Sequence, residues 1–249
     1  MIAIIAGFVT FFFTTLLTIA GVGAAFILIP VFIALGIDIH AAMATALLLN
    51  ALAMIFASIR YIRNRLVVWN AAIPILIVAS LLSPLGAYVS QSLDRQVLLW
   101  LFVGFLLFAA GMMFFYEAKA KEGTVSRRRL LTYGGAVGAF AGFMGGLLGV
   151  GGGNFIVPVL VWLGFDPKKA SATTSFVIIF SSLAAFLGHA SLGQMQWSLL
   201  GFTAAGSVLG AMVGAWLMTE KLKRKQVKIL IGLVLLIIAL KMIGSLVLG

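Results

Sequence analysis

Long apolar stretches, separated only by short basic segments, limit most strongly how this chain can fold. They run to about 20 residues with almost no charge, the length that a helix needs to cross the hydrocarbon core of a bilayer. Only 9% of the residues are charged, against about a quarter in soluble domains. The alternation of a membrane β-barrel is absent. We therefore predict an all-α integral membrane protein, a polytopic helical bundle in the lipid bilayer.

Ten apolar segments are predicted to be helical, five in each half of the chain. They are Ile2–Ala20, Ala25–Leu35, Ala41–Ile59, Ala71–Ser90, Val97–Tyr116, Leu130–Leu148, Phe155–Phe165, Ala170–Gly188, Ser198–Met218 and Val227–Leu248. The second and seventh have only 11 residues each. At a helical rise of 1.5 Å they extend roughly 16 Å, which is too short to cross about 30 Å of hydrocarbon.

The two halves are copies of one another at an offset of 128 residues, defined by Pro30 and Pro158. Several residues of the first half have the same residue type at the position 128 residues further along the chain. They are Gly21, Val22, Gly23, Pro30, Val31, Leu35, Gly36, Asp38, Ala42, Ala44, Thr45, Trp69, Gly86 and Gly104. The chain is therefore a tandem duplication. We divide it into an N-terminal repeat (1–116), a linker loop (117–129) and a C-terminal repeat (130–249).

A glycine-rich break precedes each short segment. In the second half it reads Gly149-Val150-Gly151-Gly152-Gly153-Asn154, and the first half has the weaker version Gly21-Val22-Gly23-Ala24-Ala25. Four glycines in five positions do not sustain a helix. We predict that each break is the tip of a re-entrant hairpin, because irregular backbone at membrane depth is tolerated where it is buried or lines a cavity.

The basic residues indicate whether each break is a kink or a reversal of direction. If each broken segment crossed once, the repeats would be parallel and each face would collect eight basic residues. If each break turns the chain back, fifteen basic residues share one face against Arg95 alone. The second arrangement follows the positive-inside rule. It predicts two inverted repeats, each with a hairpin and three full spans, a cytoplasmic linker, and both termini outside.

The hairpin tips are the predicted substrate site. Each short arm begins at its tip, so its free amides and positive dipole end point toward the centre, where two such N-termini make an anion site. The candidate substrate-binding residues are Gly21, Gly23, Ala24, Thr45, Asn50, Gly149, Gly151, Gly152, Gly153, Asn154, Thr173, Thr174 and Ser175. Alternatively, the hydroxyls bond only their own helix and the glycines only permit close packing.

Other small and polar residues are interpreted structurally. Close helix packing is predicted for Gly104, Gly111, Gly201, Gly206, Gly210 and Gly214. Ser181 and Ser182 are interpreted as packing residues, and His189 as a residue that makes loop hydrogen bonds near an outer helix end.

Several classes of function lack their residues in this sequence. No Asp, Glu, Arg or His lies in the middle of a predicted span, so the usual intramembrane proton relay is missing. The chain has no cysteine, no zinc or phosphate-loop motif and no convincing pair of nucleophile and base. We therefore predict no enzyme activity, no metal and no cofactor. The net charge of +11 is assigned to membrane topology rather than to nucleic-acid binding.

The second glycine motif carries a family resemblance. Gly149 to Asn154 continues as Phe155-Ile156-Val157-Pro158, and is followed by Ala170-Ser171-Ala172-Thr173-Thr174-Ser175, then by His189 and Gly193 ahead of Trp197. This pattern resembles the C-terminal half of the TauE/SafE family of sulfite exporters. The resemblance implies export of sulfite, organosulfonates or related small anions across a bacterial or archaeal inner membrane by the two glycine-rich turns. Two departures are Ala24-Ala25 in the first copy and Ala172 before Thr173.

The sequence thus predicts a secondary transporter that exports a small sulfur-containing anion by alternating access. An anion channel or facilitator, a transporter of a different small anion, and an importer are the alternatives that stay open. An intramembrane enzyme would need the missing nucleophile and base. A homodimer is suggested by analogy alone.

Overall fold

The computed structural model describes residues 2–34, 39–90, 95–115, 127–190 and 197–247. These residues form ten α-helices, and α9 continues into a π-helical turn, Leu217–Lys221. The helices are α1 Ile2–Ala20, α2 Ala25–Ala34, α3 Ile39–Arg63, α4 Trp69–Val89, α5 Arg95–Phe115, α6 Arg127–Leu147, α7 Gly153–Trp162, α8 Pro167–Ala190, α9 Trp197–Trp216 and α10 Arg224–Val247. All ten helical segments are confirmed. Residues 117–126 of the predicted linker and Gly193 lie outside the described residues.

Five of the described helices are long and apolar enough to cross a membrane, judged by length and composition. Their candidate spans are Ala41–Arg63, Trp69–Val89, Pro167–His189, Leu200–Lys221 and Arg224–Leu246. Large apolar side chains cover the outside of the bundle, among them Phe8 at 72% exposure, Leu81 at 70% and Leu187 at 70%. In water such a surface would be unfavourable, whereas lipid tails solvate it. The chain is therefore a multi-pass helical membrane protein.

Several helix contacts of the first half have an equivalent among the helices of the second half. α1 packs on α9 as α6 packs on α4, and α2 packs on α3 as α7 packs on α8. α3 also packs on α9 as α8 packs on α4. The equivalent helices α3 and α8 contact one another, and so do α5 and α10. The duplication seen in the sequence therefore extends to the packing of the helices.

Glycines let α9 approach the backbone of α1. A Cβ atom built on Gly210 would lie 2.5 Å from the carbonyl oxygen of Phe11, and Gly206 and Gly214 are equally close to carbonyl groups of α1. The packing prediction is confirmed for these three glycines. It is wrong for Gly104, Gly111 and Gly201, where a Cβ atom would meet nothing within 4 Å in the described part of the chain.

Basic residues from three connections meet at one end of the bundle, which we call the basic end. Arg60, at the end of α3, pairs with Glu220 and donates from Nε to the hydroxyl of Thr219 at 3.0 Å. Lys168, at the start of α8, donates from Nζ to the carbonyl of the same Thr219 at 3.2 Å. Arg224, at the start of α10, pairs with Asp166 at 2.7 Å. The three basic segments thus share one end of the bundle.

Candidate functional site

The two glycine turns meet in the middle of the bundle. A Cβ atom on Gly153 would lie 2.7 Å from the carbonyl oxygen of Val22, which belongs to the first turn. Gly21 lies against α8, where its Cβ atom would be 2.6 Å from Cα of Ser171. At the equivalent position of the second half, Gly149 lies against Met43 of α3. Each turn is therefore in contact with the opposite half of the molecule, and the two turns contact one another through Gly153 and Val22.

The second turn reverses the direction of the chain. A Cβ atom on Gly152 would lie 2.5 Å from the carbonyl oxygen of Ala141, which is well before the end of α6. The Phe155 ring packs edge-on against Phe140 at 5.1 Å, so α7 starts back alongside α6. Left-handed backbone conformations make this turn possible, with φ of 78° at Gly152. The other positive φ angles at the two turns are those of Gly21, Gly23, Gly149 and Gly151.

Asn50 connects the first turn to α8. Its Oδ1 accepts the backbone amide of Ala24 at 2.9 Å, and its Nδ2 donates to the hydroxyl of Ser182 at 3.1 Å. The side chain is completely buried, and Gly23 packs directly on it. Asn50 was predicted to bind substrate, but in this conformation its amide group is occupied by protein partners. It caps the backbone amide of Ala24, the residue that precedes α2.

Ser181 bonds to the second turn directly and Ser182 is linked to the first turn through Asn50, whereas the sequence suggested packing roles for both. Ser181 donates to the carbonyl of Gly151 at 2.9 Å, and Ser182 accepts from Asn50 and lies against Gly151. Ser181 and Ser182 follow Thr174 by seven and eight residues, which is two helical turns. This spacing is the sequence signal that places them on the same face of α8 as Thr174. Side chains of α8 therefore link the two turns to one another, directly at the second turn and through Asn50 at the first.

His189 is also placed differently from its predicted loop position. It lies inside α8, is completely buried, and has Nε2 at 2.9 Å from the carbonyl oxygen of Gly146. That carbonyl belongs to the last turn of α6 and also accepts the amide of Gly149 at 3.2 Å. His189 thus contacts the backbone immediately before the second glycine turn.

Three of the predicted polar ligands bond to the backbone. Thr45 donates to the carbonyl of Ala41 at 2.7 Å, and Ser175 to that of Ser171 at 2.9 Å, each within its own helix. Thr173 accepts the amide of Val68 at 3.0 Å, and thereby ties the turn between α3 and α4 to α8. Thr45, Thr173 and Ser175 are all buried.

Asn154 and Thr174 differ from these residues. Both are completely buried, yet neither Nδ2 and Oδ1 of Asn154 nor Oγ1 of Thr174 has a hydrogen-bond partner within the described chain. Asn154 is the second residue of α7, and the first α7 amide to bond back is that of Phe155, to the carbonyl of Gly152 at 3.1 Å. Asn154 therefore lies at the uncapped N-terminus of α7, and Thr174 lies one turn of α8 before Ile178, which packs on Gly153.

Within the described residues, no group of three or more His, Asp or Glu side chains is arranged to hold a metal ion. The polar groups at the centre are amides and hydroxyls, which donate hydrogen bonds to an anion without carrying a formal charge.

Two glycine turns that meet inside a helical bundle, with five candidate spans among the described helices, define a polytopic membrane protein with broken helices of the kind found in many secondary transporters. A family model described as sulfite exporter TauE/SafE matches residues 3–242. The chain belongs to this family, which confirms the resemblance noted in the sequence.

Curated relatives agree with this assignment. A probable membrane transporter protein of Haemophilus influenzae is 32% identical over 82% of the chain and 80% of its own length. The probable membrane transporter protein YunE of Bacillus subtilis is 27% identical over 81% of the chain and 80% of its own length. Sulfite exporter TauE/SafE family protein 1 of Arabidopsis thaliana is 42% identical over 27% of the chain and 13% of its own length. No solved structure matches the chain.

Proposed function

We propose that the protein exports a small sulfur-containing anion, sulfite or an organosulfonate, across the inner membrane by alternating access. The chain is a member of a family described as sulfite exporters, and it offers neutral hydrogen-bond donors at its centre. An outward-moving anion gains about 2.3 kcal/mol per charge for each 100 mV of inside-negative potential. Export therefore needs no coupling ion in this mechanism.

One observation carries the site assignment: Asn154 is completely buried, and neither polar atom of its side chain has a partner among the described residues. A buried amide without a partner costs free energy, of the order of 1–3 kcal/mol. An anion at the N-terminus of α7 would accept from Nδ2 and from the first amides of the helix, and would benefit from the helix dipole. Thr174 is the second side-chain ligand that we assign.

The remaining candidate residues shape this site. Gly149, Gly151, Gly152 and Gly153 let the chain turn and bring the amides together, while Gly21, Gly23 and Ala24 form the opposing turn. Asn50 and Thr173 are positioning residues, since their side chains already bond to the backbone of Ala24 and Val68. Thr45 and Ser175 contribute to the packing of α3 and α8 around the site.

Alternating access accounts for the contact between the turns. In the conformation described, Gly153 touches Val22, so an anion held between the turns requires them to separate. Inverted repeats provide such a motion, because one half can rock against the other about the central site. The exchange-symmetric helix contacts and the shared basic end support inverted repeats with that end in the cytoplasm and both termini outside.

Anion efflux from proteoliposomes tests the proposal. Proteoliposomes that contain the purified protein are loaded with sulfite, methanesulfonate or sulfate, and efflux is measured with and without an inside-negative potential. We expect saturable efflux of sulfite or methanesulfonate that rises with the potential, and a loss of at least about tenfold in Asn154→Leu or Thr174→Val. Thr45→Val is the matched control, because Thr45 bonds within its own helix. Flux without saturation would favour a channel, and no flux of any of these anions would remove the substrate assignment.

A further inference from the structure

A cleft with an excess of positive charge opens at the basic end, away from the glycine turns. Its volume is about 470 Å³. The turn between α3 and α4, the first turn of α8 and the segment before α10 line it, with the residues Leu66, Asp166, Lys168, Lys169, Leu222, Lys223 and Arg224.

The positive charge in this cleft is only partly compensated. Asp166, its single acid, accepts the amides of Lys168 and Lys169 on Oδ1 at 2.9 and 3.4 Å, and pairs with Arg224 through Oδ2. Lys168 donates its ammonium group to the carbonyl of Thr219. Within the described chain, the ammonium groups of Lys169 and Lys223 pair with no carboxylate. These two lysines are therefore available to an anion from solution.

The cleft adjoins the part of α8 that leads to the central site. Lys169 precedes Ser171 by two residues, and Ser171 donates to the carbonyl of Ile19 at 2.9 Å beside the first glycine turn. On the opposite wall, Leu66 lines the cleft, and two residues later Val68 donates its amide to Thr173 of α8. The turn between α3 and α4 thus lies between the cleft and the second turn of α8.

We infer that this cleft is a recruiting site for small sulfur oxyanions, which bind to Lys169 and Lys223 before they reach the glycine turns. The identity of the recruited anion as the transported cargo rests on the proposed function. Clefts lined by charge of one sign raise the local concentration of counter-ions and the rate at which they arrive. The phosphate of a lipid headgroup shares this chemistry, so the test has to separate a dissolved oxyanion from a lipid.

Modification of an introduced cysteine measures the preference of the cleft for anions over cations and does not depend on transport. The chain has no cysteine of its own, so the introduced thiol is the only one that reacts. Leu222→Cys places a thiol in the cleft. We expect sulfonatoethyl methanethiosulfonate to modify it about tenfold faster than trimethylammonioethyl methanethiosulfonate at low salt, relative to the ratio for a free thiol. We expect that excess to fall at least about threefold in the background Lys169→Gln/Lys223→Gln and at high salt.

Lys225→Gln is the matched control, because Lys225 is exposed at the same end but does not line the cleft. It should leave the ratio of the two rates nearly unchanged. If Lys225→Gln lowers the ratio as much as Lys169→Gln/Lys223→Gln does, the effect is a general surface potential and the cleft is not a site.

Competition then identifies the source of the oxyanion. In phosphatidylcholine liposomes, millimolar methanesulfonate should slow the modification of Leu222→Cys, and added phosphatidylglycerol should not. Slowing by phosphatidylglycerol without an effect of methanesulfonate would overturn the recruiting role in favour of a lipid site.

A transport measurement links the cleft to the cargo. At low ionic strength, Lys169→Gln/Lys223→Gln should raise the half-saturating concentration at least about threefold and leave the maximal rate unchanged. An unchanged half-saturating concentration would overturn the recruiting role even if the protein transports. If the protein moves no sulfur anion while methanesulfonate still protects Leu222→Cys, the proposed function fails and the cleft remains an oxyanion site.

Discussion

Asn50 donates a hydrogen bond from Nδ2 to the hydroxyl of Ser182 at 3.1 Å, which joins the third helix of one repeat to the third helix of the other. Because Oδ1 of the same side chain accepts the amide of Ala24, one buried amide holds a glycine turn and both central helices together.

Replacing this side chain should destabilise the fold. Asn50→Leu preserves the volume and leaves the Ala24 amide unpaired, and an unsatisfied buried group costs about 1–3 kcal/mol. We expect a clearly lower midpoint of thermal unfolding for the purified protein in detergent. Asn64→Leu is the control, since Asn64 is exposed and bonds only to the carbonyl of Arg60 at the end of α3. Equal midpoints for the two variants would contradict the bridging role.

The backbone of the second turn should tolerate no side chain at Gly152. Its φ of 78° costs a residue with a Cβ atom about 1–2 kcal/mol, and the added atom would meet the carbonyl of Ala141. We expect Gly152→Ala to lower the yield of monodisperse protein and its unfolding midpoint. Gly201→Ala should match or exceed the parent protein, because Gly201 is helical with open space around it and alanine favours the helix. A tolerated Gly152→Ala would contradict the close approach of α6.

The two proposed substrate ligands, Asn154 and Thr174, should affect stability in the opposite direction from Asn50. Asn154 and Thr174 have unpartnered polar atoms in a buried environment, so Asn154→Leu and Thr174→Val remove a desolvation cost of about 1–3 kcal/mol each. We expect a higher unfolding midpoint together with lost anion efflux. A drop in midpoint as large as that of Asn50→Leu would mean that these groups are structural.

The hydroxyl of Thr173 should keep the turn between α3 and α4 closed. Val67, in that turn, is only 7% exposed, and its neighbour Val68 donates its amide to Thr173. A cysteine at position 67 should react slowly with a water-soluble thiol reagent and several-fold faster when Thr173→Val is added. Thr173→Ser keeps the acceptor and should restore slow labelling. If both substitutions accelerate labelling equally, packing of the threonine methyl group holds the turn.

Labelling from either side of the membrane tests the inverted arrangement. Arg63 and Lys225 are exposed at the basic end, whereas Gln96 is exposed at the start of α5. We expect cysteines at positions 63 and 225 to react from the cytoplasmic side, and one at position 96 from the opposite side. Parallel repeats would require the cysteines at 63 and 225 to react from different sides.

The sequence predicted the helices well because each is a run of apolar residues that ends near charge or glycine. It did not predict how far they extend: seven of the described helices, α3 to α8 and α10, begin two or three residues earlier than expected, since a helix can continue through polar residues at its end. Gly104, Gly111 and Gly201 show a second limit. Small residues indicate a packing face only when the rotation of the helix about its axis is known.

The polar groups at the centre were harder to interpret from sequence. The residue types at 45, 50, 173 and 175 are all compatible with ligand binding, yet Thr45 and Ser175 bond one turn back in their own helices. The partners of Asn50 lie 26 and 132 residues away along the chain. Periodicity does not encode such contacts, so only the tertiary structure distinguishes Asn154 and Thr174 from the other candidates.

The amide cap of the first turn also bears on how the duplication evolved. Positions 50 and 178 are equivalent in the two repeats, and they hold asparagine and isoleucine. A dimer of two identical halves would place either two asparagines or two isoleucines at its centre, so both turns would be capped or both left open. Fusion into one polypeptide allows one half to specialise as scaffold and the other to keep an uncapped helix N-terminus, a division of labour that no symmetric ancestor could encode.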